Sequence, residues 1–202
     1  MLALGVLLCG AQAARTPSDY RSDLHQAAAA EVASLAARGQ VEEAMALGKR
    51  FQIRVEPSSA VLYELGLLHN QLGQTSEALD HYDRALAMDP DNAAARYDRG
   101  ELLLGQGEIE RARADLEAAA RLRADHWAAH YRLAQLAGHR RDSAALEAHL
   151  MASLRNGFDL QTLLADPIWR QWAVDPELGP PIAGLIVVYG DESILEQLRS
   201  PQ

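Results

Sequence analysis

The sequence predicts an all-α solenoid of helix–turn–helix units, and three observations carry that expectation. Gly39, Gly73 and Gly107 are evenly spaced, and Ala44, Ala78 and Ala112 keep the same step. Tyr63, Tyr97 and Tyr131 repeat it once more. A fixed period between about 20 and 50 residues marks stacked repeats, in which each unit buries its apolar face only against its neighbours. Such an array offers a long surface for binding and brings no catalytic apparatus of its own.

Taken in order, residues 1–13 read as a secretory leader. Residues 2–8 are apolar, and Ala11-Gln12-Ala13 follows as a small-x-small cleavage site. No lysine or arginine precedes Arg15, so the charged leading segment of such leaders is missing. The stretch is too short to span a bilayer. Cleavage after Ala13 would remove Cys9, the only cysteine; lipid attachment at Cys9 is the alternative. The expected location is therefore periplasmic or secreted, with a cytoplasmic leader as the other reading. Residues 14–24 are polar and read as a loose lead-in.

The unit over residues 59–92 is the best formed. It runs Leu62-x2-Leu65-Gly66-x2-His69, then Gly73, Glu77-Ala78, Tyr82, Ala85 and Asp89-Pro90. Gly66, Ala78 and Ala85 are small where two helices must approach, and Leu65 and Tyr82 fill the space between them. Gly73 ends the first helix, and Asp89-Pro90 stops the second, because proline cannot continue a helix interior. This pattern resembles the tetratricopeptide repeat, with Leu62 in place of its tryptophan and His69 in place of its tyrosine.

The unit over 93–126 keeps Gly100, Gly107, Ala112 and Ala119, with Leu116 at the aromatic position. It departs where Arg96 and Arg99 replace apolar residues and Ala124 replaces the proline. A weaker unit over 25–58 carries Gly39, Glu43-Ala44 and Pro57. A divergent unit over 127–160 matches through 145–149 and Ala152 if one residue is inserted around 138–142. Turns are expected at 38–40, 73–75, 106–108 and 138–142. Paired acids such as Glu42-Glu43 and Glu108-x-Glu110 belong at helix starts, where they complement the helix dipole.

Residues 161–202 are expected to cap the array, since an open last repeat would expose its apolar side. Asp166-Pro167 and Asp175-Pro176 each join a capping acid to a proline suited to a first helical turn. Ile168, Trp169 and Trp172 supply apolar surface for short helical turns over the last pair. Pro180-Pro181 reads as the end of that run. Residues 182–189 read as a short strand or buried extended piece, and 191–198 as a final helix bearing Ile194, Leu195 and Leu198 on one face.

The formal net charge of −9 argues against a nucleic-acid backbone as partner. Nine arginines fall between Arg96 and Arg141, but seven acids share that segment, as solvated helix faces with mixed-sign pairs do.

The resemblance implies that the first helix of each pair lines a concave groove. Tyr63, Leu67, Asn70 and Gln71 would line it first, then Tyr97, Glu101 and Leu104, then Tyr131 and Gln135. Tyrosine suits such a surface, being a rigid apolar body with a hydroxyl; it also serves helix packing in the repeat pattern. The positions that clamp acidic peptide tails in some family members hold Ala29, Ala33, Tyr63, Leu67, Glu64 and Asp98, with only Arg132 of suitable charge. That mode is not expected.

No nucleophile elbow, phosphate loop or dinucleotide turn is present. His126-x3-His130 has helical zinc-ligand spacing but lacks the adjacent glutamate of metalloprotease helices. No catalytic residue, cofactor or metal is expected. The function expected is a non-catalytic scaffold that binds a partner peptide or protein through the groove. The alternative is a structural or self-associating subunit of a bacterial envelope assembly, meeting its neighbours through the outer face or the Trp169/Trp172 tail.

Overall fold

A computed structural model describes residues 16–54 and 58–200 of the 202-residue chain. The leader residues 1–13, Cys9 and Pro57 lie outside the described residues. Among the described residues the secondary structure is helical, with no strand. Four antiparallel pairs come first: α1 (Pro17–Ala37) with α2 (Val41–Arg54), and α3 (Ser59–Gln71) with α4 (Thr75–Met88). Then come α5 (Ala93–Gly105) with α6 (Ile109–Leu122), and α7 (Trp127–His139) with α8 (Ser143–Arg155). A 3-10 helix over Leu160–Ala165 leads into α9 (Pro167–Ala173), α10 (Gly179–Tyr189) and α11 (Glu192–Arg199).

The turns have a common cause. Gly39, Gly73 and Gly107 take φ of +76°, +70° and +78°, the left-handed conformation that ends a helix and that glycine adopts without a Cβ penalty. The fourth turn uses Arg141 in the same conformation, at φ +58°. Arg141 stands one repeat step after Gly107, and α7 and α8 begin one step after α5 and α6. The expected insertion around 138–142 is therefore corrected: the fourth unit holds strict register. Leu146, Leu150 and Ser153 take the places of Ala112, Leu116 and Ala119, and all six are buried.

Within the second, third and fourth pairs a small residue faces a larger one. A Cβ on Gly66 would lie 2.5 Å from the Tyr82 ring, and one on Gly100 would lie 3.1 Å from Leu116. In the fourth unit Ala134 and Leu150 hold these positions, both fully buried. The small residue is what lets the larger partner fit between closely packed helices.

Three further expectations are corrected. Residues 17–23 are helical rather than a loose lead-in: Thr16 caps α1 in a capping box with Asp19, and Pro17 sits in its first turn. Residues 182–189 are helical rather than extended. Pro180 and Pro181 open α10 instead of ending a run, since proline is tolerated where helix N–H groups have no intrahelical acceptor. The tryptophans pack over the last pair, which leaves them no outward surface for the tail-mediated contact of the alternative reading. Trp169 and Trp172 are buried in one core with Tyr131, Leu146, Leu150, Phe158, Ile182 and Ile194. The expected helix over 191–198 is present as α11, with Ile194 and Leu198 buried.

Candidate functional site

Tyr63, Leu67, Asn70 and Gln71 project from α3, and Asn70 and Gln71 are exposed. Tyr97, Glu101 and Leu104 project from α5 and are half-buried. Polar bonds link the first helices of successive pairs. The Tyr63 hydroxyl donates to the Asp98 carboxylate at 2.8 Å. Arg132 on α7 donates through Nε and Nη2 to Glu101 at 3.0 and 2.7 Å, and through Nη1 to Gln135 at 2.9 Å. Gln135 Nε2 in turn donates to Asp166, before α9, at 2.8 Å.

That last bond has a periodic basis. Asp98, Arg132 and Asp166 lie on the repeat step, and the Gln135–Asp166 bond spans the same 31 residues as the Glu101–Arg132 bond. The capping segment thus extends the polar ladder of the first helices by one rung.

Tyr131 is the exception among the three tyrosines. It is 9% exposed, with its ring 4.6 Å from Phe158 and 5.8 Å from Trp169. Trp169 Nε1 donates to its hydroxyl at 3.0 Å, and Gln135 donates at 3.2 Å. The expectation that Tyr131 lines an open groove is corrected: the C-terminal segment covers it, because the last unit's apolar side needs a cover and Trp169 supplies one. Gln135 is likewise committed to the cap.

The uncovered section around α3 and α5 is acidic. Glu64 and Asp98 are raised above the usual carboxylate range, chiefly by burial; each also feels a neighbouring carboxylate, Asp98 beside Glu64 and Glu101 beside Asp98. The Tyr63 hydroxyl bond opposes the rise at Asp98. Burial and the Asp98 charge push the Tyr63 phenol well above its ordinary value. Arg132, the one cation that sequence reasoning placed here, is held by Glu101. Tyr97 lies 4.7 Å from the His126 ring.

His126 and His130 do not converge. His126 caps α7, its Nδ1 accepting from the Ala129 amide at 3.2 Å, while His130 faces His149 on α8. Among the described residues no group of three or more His, Cys, Asp or Glu gathers as a metal site.

Sequence reasoning missed one buried cluster. Asp115, 4% exposed, accepts from Arg99 through Nε and Nη2 at 2.7 Å each and from Arg96 at 3.2 Å. Arg99 also reaches Asp83 at 2.6 Å. The signal was available: Arg96 and Arg99 replace Leu62 and Leu65 of the preceding unit, and Asp115 replaces its His81, all on the same repeat step.

The model of the TPR repeat family matches residues 66–107, and a tetratricopeptide repeat model matches residues 97–156. A curated relative from Pseudomonas putida, named as a probable biofilm formation methyltransferase WspC, is 36% identical over 111 residues, 54% of this chain and 26% of its own. The Pseudomonas aeruginosa protein of that name is 41% identical over 91 residues, 45% of this chain and 22% of its own. The match thus spans about a quarter of the length of these relatives. Among solved structures, MamA from Desulfovibrio magneticus RS-1 superposes with a TM-score of 0.64 at 18% identity, over 90% of this chain and 98% of its own. YrrB, described as a TPR protein with an unusual peptide-binding site, gives 0.57 at 18% identity over 71% and 74%. At these identities the structures share the fold.

Proposed function

The chain is a tetratricopeptide repeat protein, and from that premise we propose that it is a non-catalytic scaffold that binds a partner peptide or protein along α3 and α5. The observation that carries this reading is the contrast among the three tyrosines. Tyr131 is sealed under the cap, whereas Tyr63 and Tyr97 remain half-buried on an uncovered face with Leu67, Asn70 and Gln71. The fold shared with YrrB, which has a peptide-binding site, makes this face the first to test.

Charge defines the partner. Among the described residues Glu64 has no ion pair, and the Asp98 carboxylate is bonded through the Tyr63 hydroxyl rather than to a cation. A lysine or arginine on the partner would satisfy both carboxylates while stacking on a tyrosine ring. Selection of a displayed peptide library on the full chain is expected to enrich lysine- or arginine-bearing sequences. Binding of the selected peptides should weaken in Asp98→Asn and in Tyr63→Phe/Tyr97→Leu, with helicity retained. Enrichment of acidic sequences, or binding indifferent to both variants, would overturn the assignment.

A second reading has its own observation. Val187 and Val188 on α10 are 57% and 71% exposed, beside half-exposed Tyr189, and a self-associating subunit would cover them. Light scattering separates the two: a peptide binder stays monomeric, whereas Val188→Asp should dissociate an assembly. Export to the periplasm rests on residues 1–13, and fractionation of cells expressing the full chain tests it.

A further inference from the structure

Outside the tyrosine face, one pair of side chains is poised for a different chemistry. His130 on α7 and His149 on α8 face each other with Nδ1 atoms 3.4 Å apart and ring centroids 5.7 Å apart. They occupy the slot that holds Arg96 and Asp115 one unit earlier, again 19 residues apart. There the pair is an ion pair of opposite charges; here it is two imidazoles, which supply two nitrogen lone pairs.

The spacing admits two uses. A ring-to-ring hydrogen bond at this separation is long, since a well-formed one closes to about 2.7–3.2 Å. Zinc binds imidazole nitrogen at about 2.0–2.1 Å in tetrahedral geometry, which places two such nitrogens ~3.4 Å apart. Burial favours the neutral form of both rings. Burial lowers each below the usual histidine value; His149 is lowered further by His130, and His130 by His126. The groups that oppose this are the Ala124 carbonyl beside His130, and Glu117 and Asp142 beside His149.

Solvent has access. His149 lines a cavity of about 210 Å³ with Arg113, Glu117, Arg140 and Asp142. Its carboxylates are already engaged, Glu117 with Arg113 at 3.4 Å and Asp142 with the Ala145 amide at 3.0 Å. The cavity leaves room for water beside His149.

We propose that His130 and His149 form a two-nitrogen site for a divalent late transition ion, with water from the adjoining cavity completing the coordination. With two protein ligands the site is open and exchangeable, and the ion clips α7 to α8 on the side that faces α6. Imidazole donors select zinc, copper and nickel over magnesium and calcium.

Calorimetric titration of the full chain with zinc chloride at pH 7.5, in a non-chelating buffer, tests this. One saturable site is expected, absent with magnesium and weakened on acidification to pH 5.5 as protons compete for the nitrogens. His149→Gln and His130→Asn should each lower zinc affinity by at least about tenfold, since loss of even an outer partner of a metal ligand costs 10–100-fold. His81→Gln, at the equivalent position two units earlier, should leave it unchanged. As a readout without substitution, the imidazole nitrogen resonances of His130 and His149 should shift together as zinc is added. No saturable binding, binding unaffected by both substitutions, or shifts confined to other histidines would overturn the proposal.

Discussion

At the scale of single residues, positions that recur at the repeat step carry different chemistry under the same geometric demand. Gly66 is required by the Tyr82 ring; Gly66→Val should destabilise by about 1–3 kcal/mol, the usual cost of overpacking, as measured by urea denaturation. Asp115 is the buried carboxylate shared by two arginines. Asp115→Ala should cost about 1–3 kcal/mol, because Arg99 loses two bonds to a buried carboxylate while keeping only half-exposed Asp83. Arg141 is held in a left-handed turn by Asp175, which accepts from Nη1 and Nη2 at 2.9 and 3.0 Å, and by Glu177. That pairing, with the backbone amides of Glu177 and Leu178, holds the Asp175 carboxyl down at about 2. The resulting stabilisation is complete above the ordinary value of 3.8 and is lost as pH falls through about 2. Arg141→Gly frees the turn of left-handed strain and releases Asp175 from its cation. The fall in urea midpoint between pH 4 and pH 2 should then be shallower than in the unsubstituted protein.

At the scale of elements, α4 carries a pH dependence of its own. His81 stacks on His69, with ring centroids 5.0 Å apart. Its value is lowered to about 4, first by burial, then by His69, Arg84 and Lys49, against the pull of Asp80. A histidine kept neutral in the fold stabilises fully above its ordinary value of 6.5, and that contribution is lost as pH falls toward 4. The melting temperature should drop between pH 6.5 and 4, and less so in His81→Gln. The capping helices show a second element-scale effect. Period and turn signals made α2 to α8 legible, because small residues and helix stops recur at fixed places. α10 was not legible, since a short apolar run fits a buried strand as well as a helix. Its identity was decided by Gly179, Pro180 and Pro181 at its start, and by the side it packs against α8 and α9.

At the scale of the whole molecule, stability is shared between neighbouring units, so the ends matter more than in a single-core domain. Trp169 is fully buried over Tyr131 and Ile182. Trp169→Ala should destabilise by about 3–5 kcal/mol and loosen the array from its C-terminal end. Hydrogen exchange should show α7 and α8 losing protection, while α3 and α4 are little changed. The same cap limits the proposed binding face. It closes one end of the tyrosine row, which leaves α3 and α5 as the open stretch where a basic partner would lie.

The sequence by itself determined the repeat, its length, its turns and the periodic series of tyrosines, because close helix approach restricts the same positions in every unit. The tertiary structure alone decided which tyrosine stays open, which charges are paired and which histidines meet. Those outcomes depend on contacts between side chains 16 to 38 residues apart and on the capping segment that follows the four units. Tyr131 and Tyr63 share a period, but only one of them has a tryptophan folded over it.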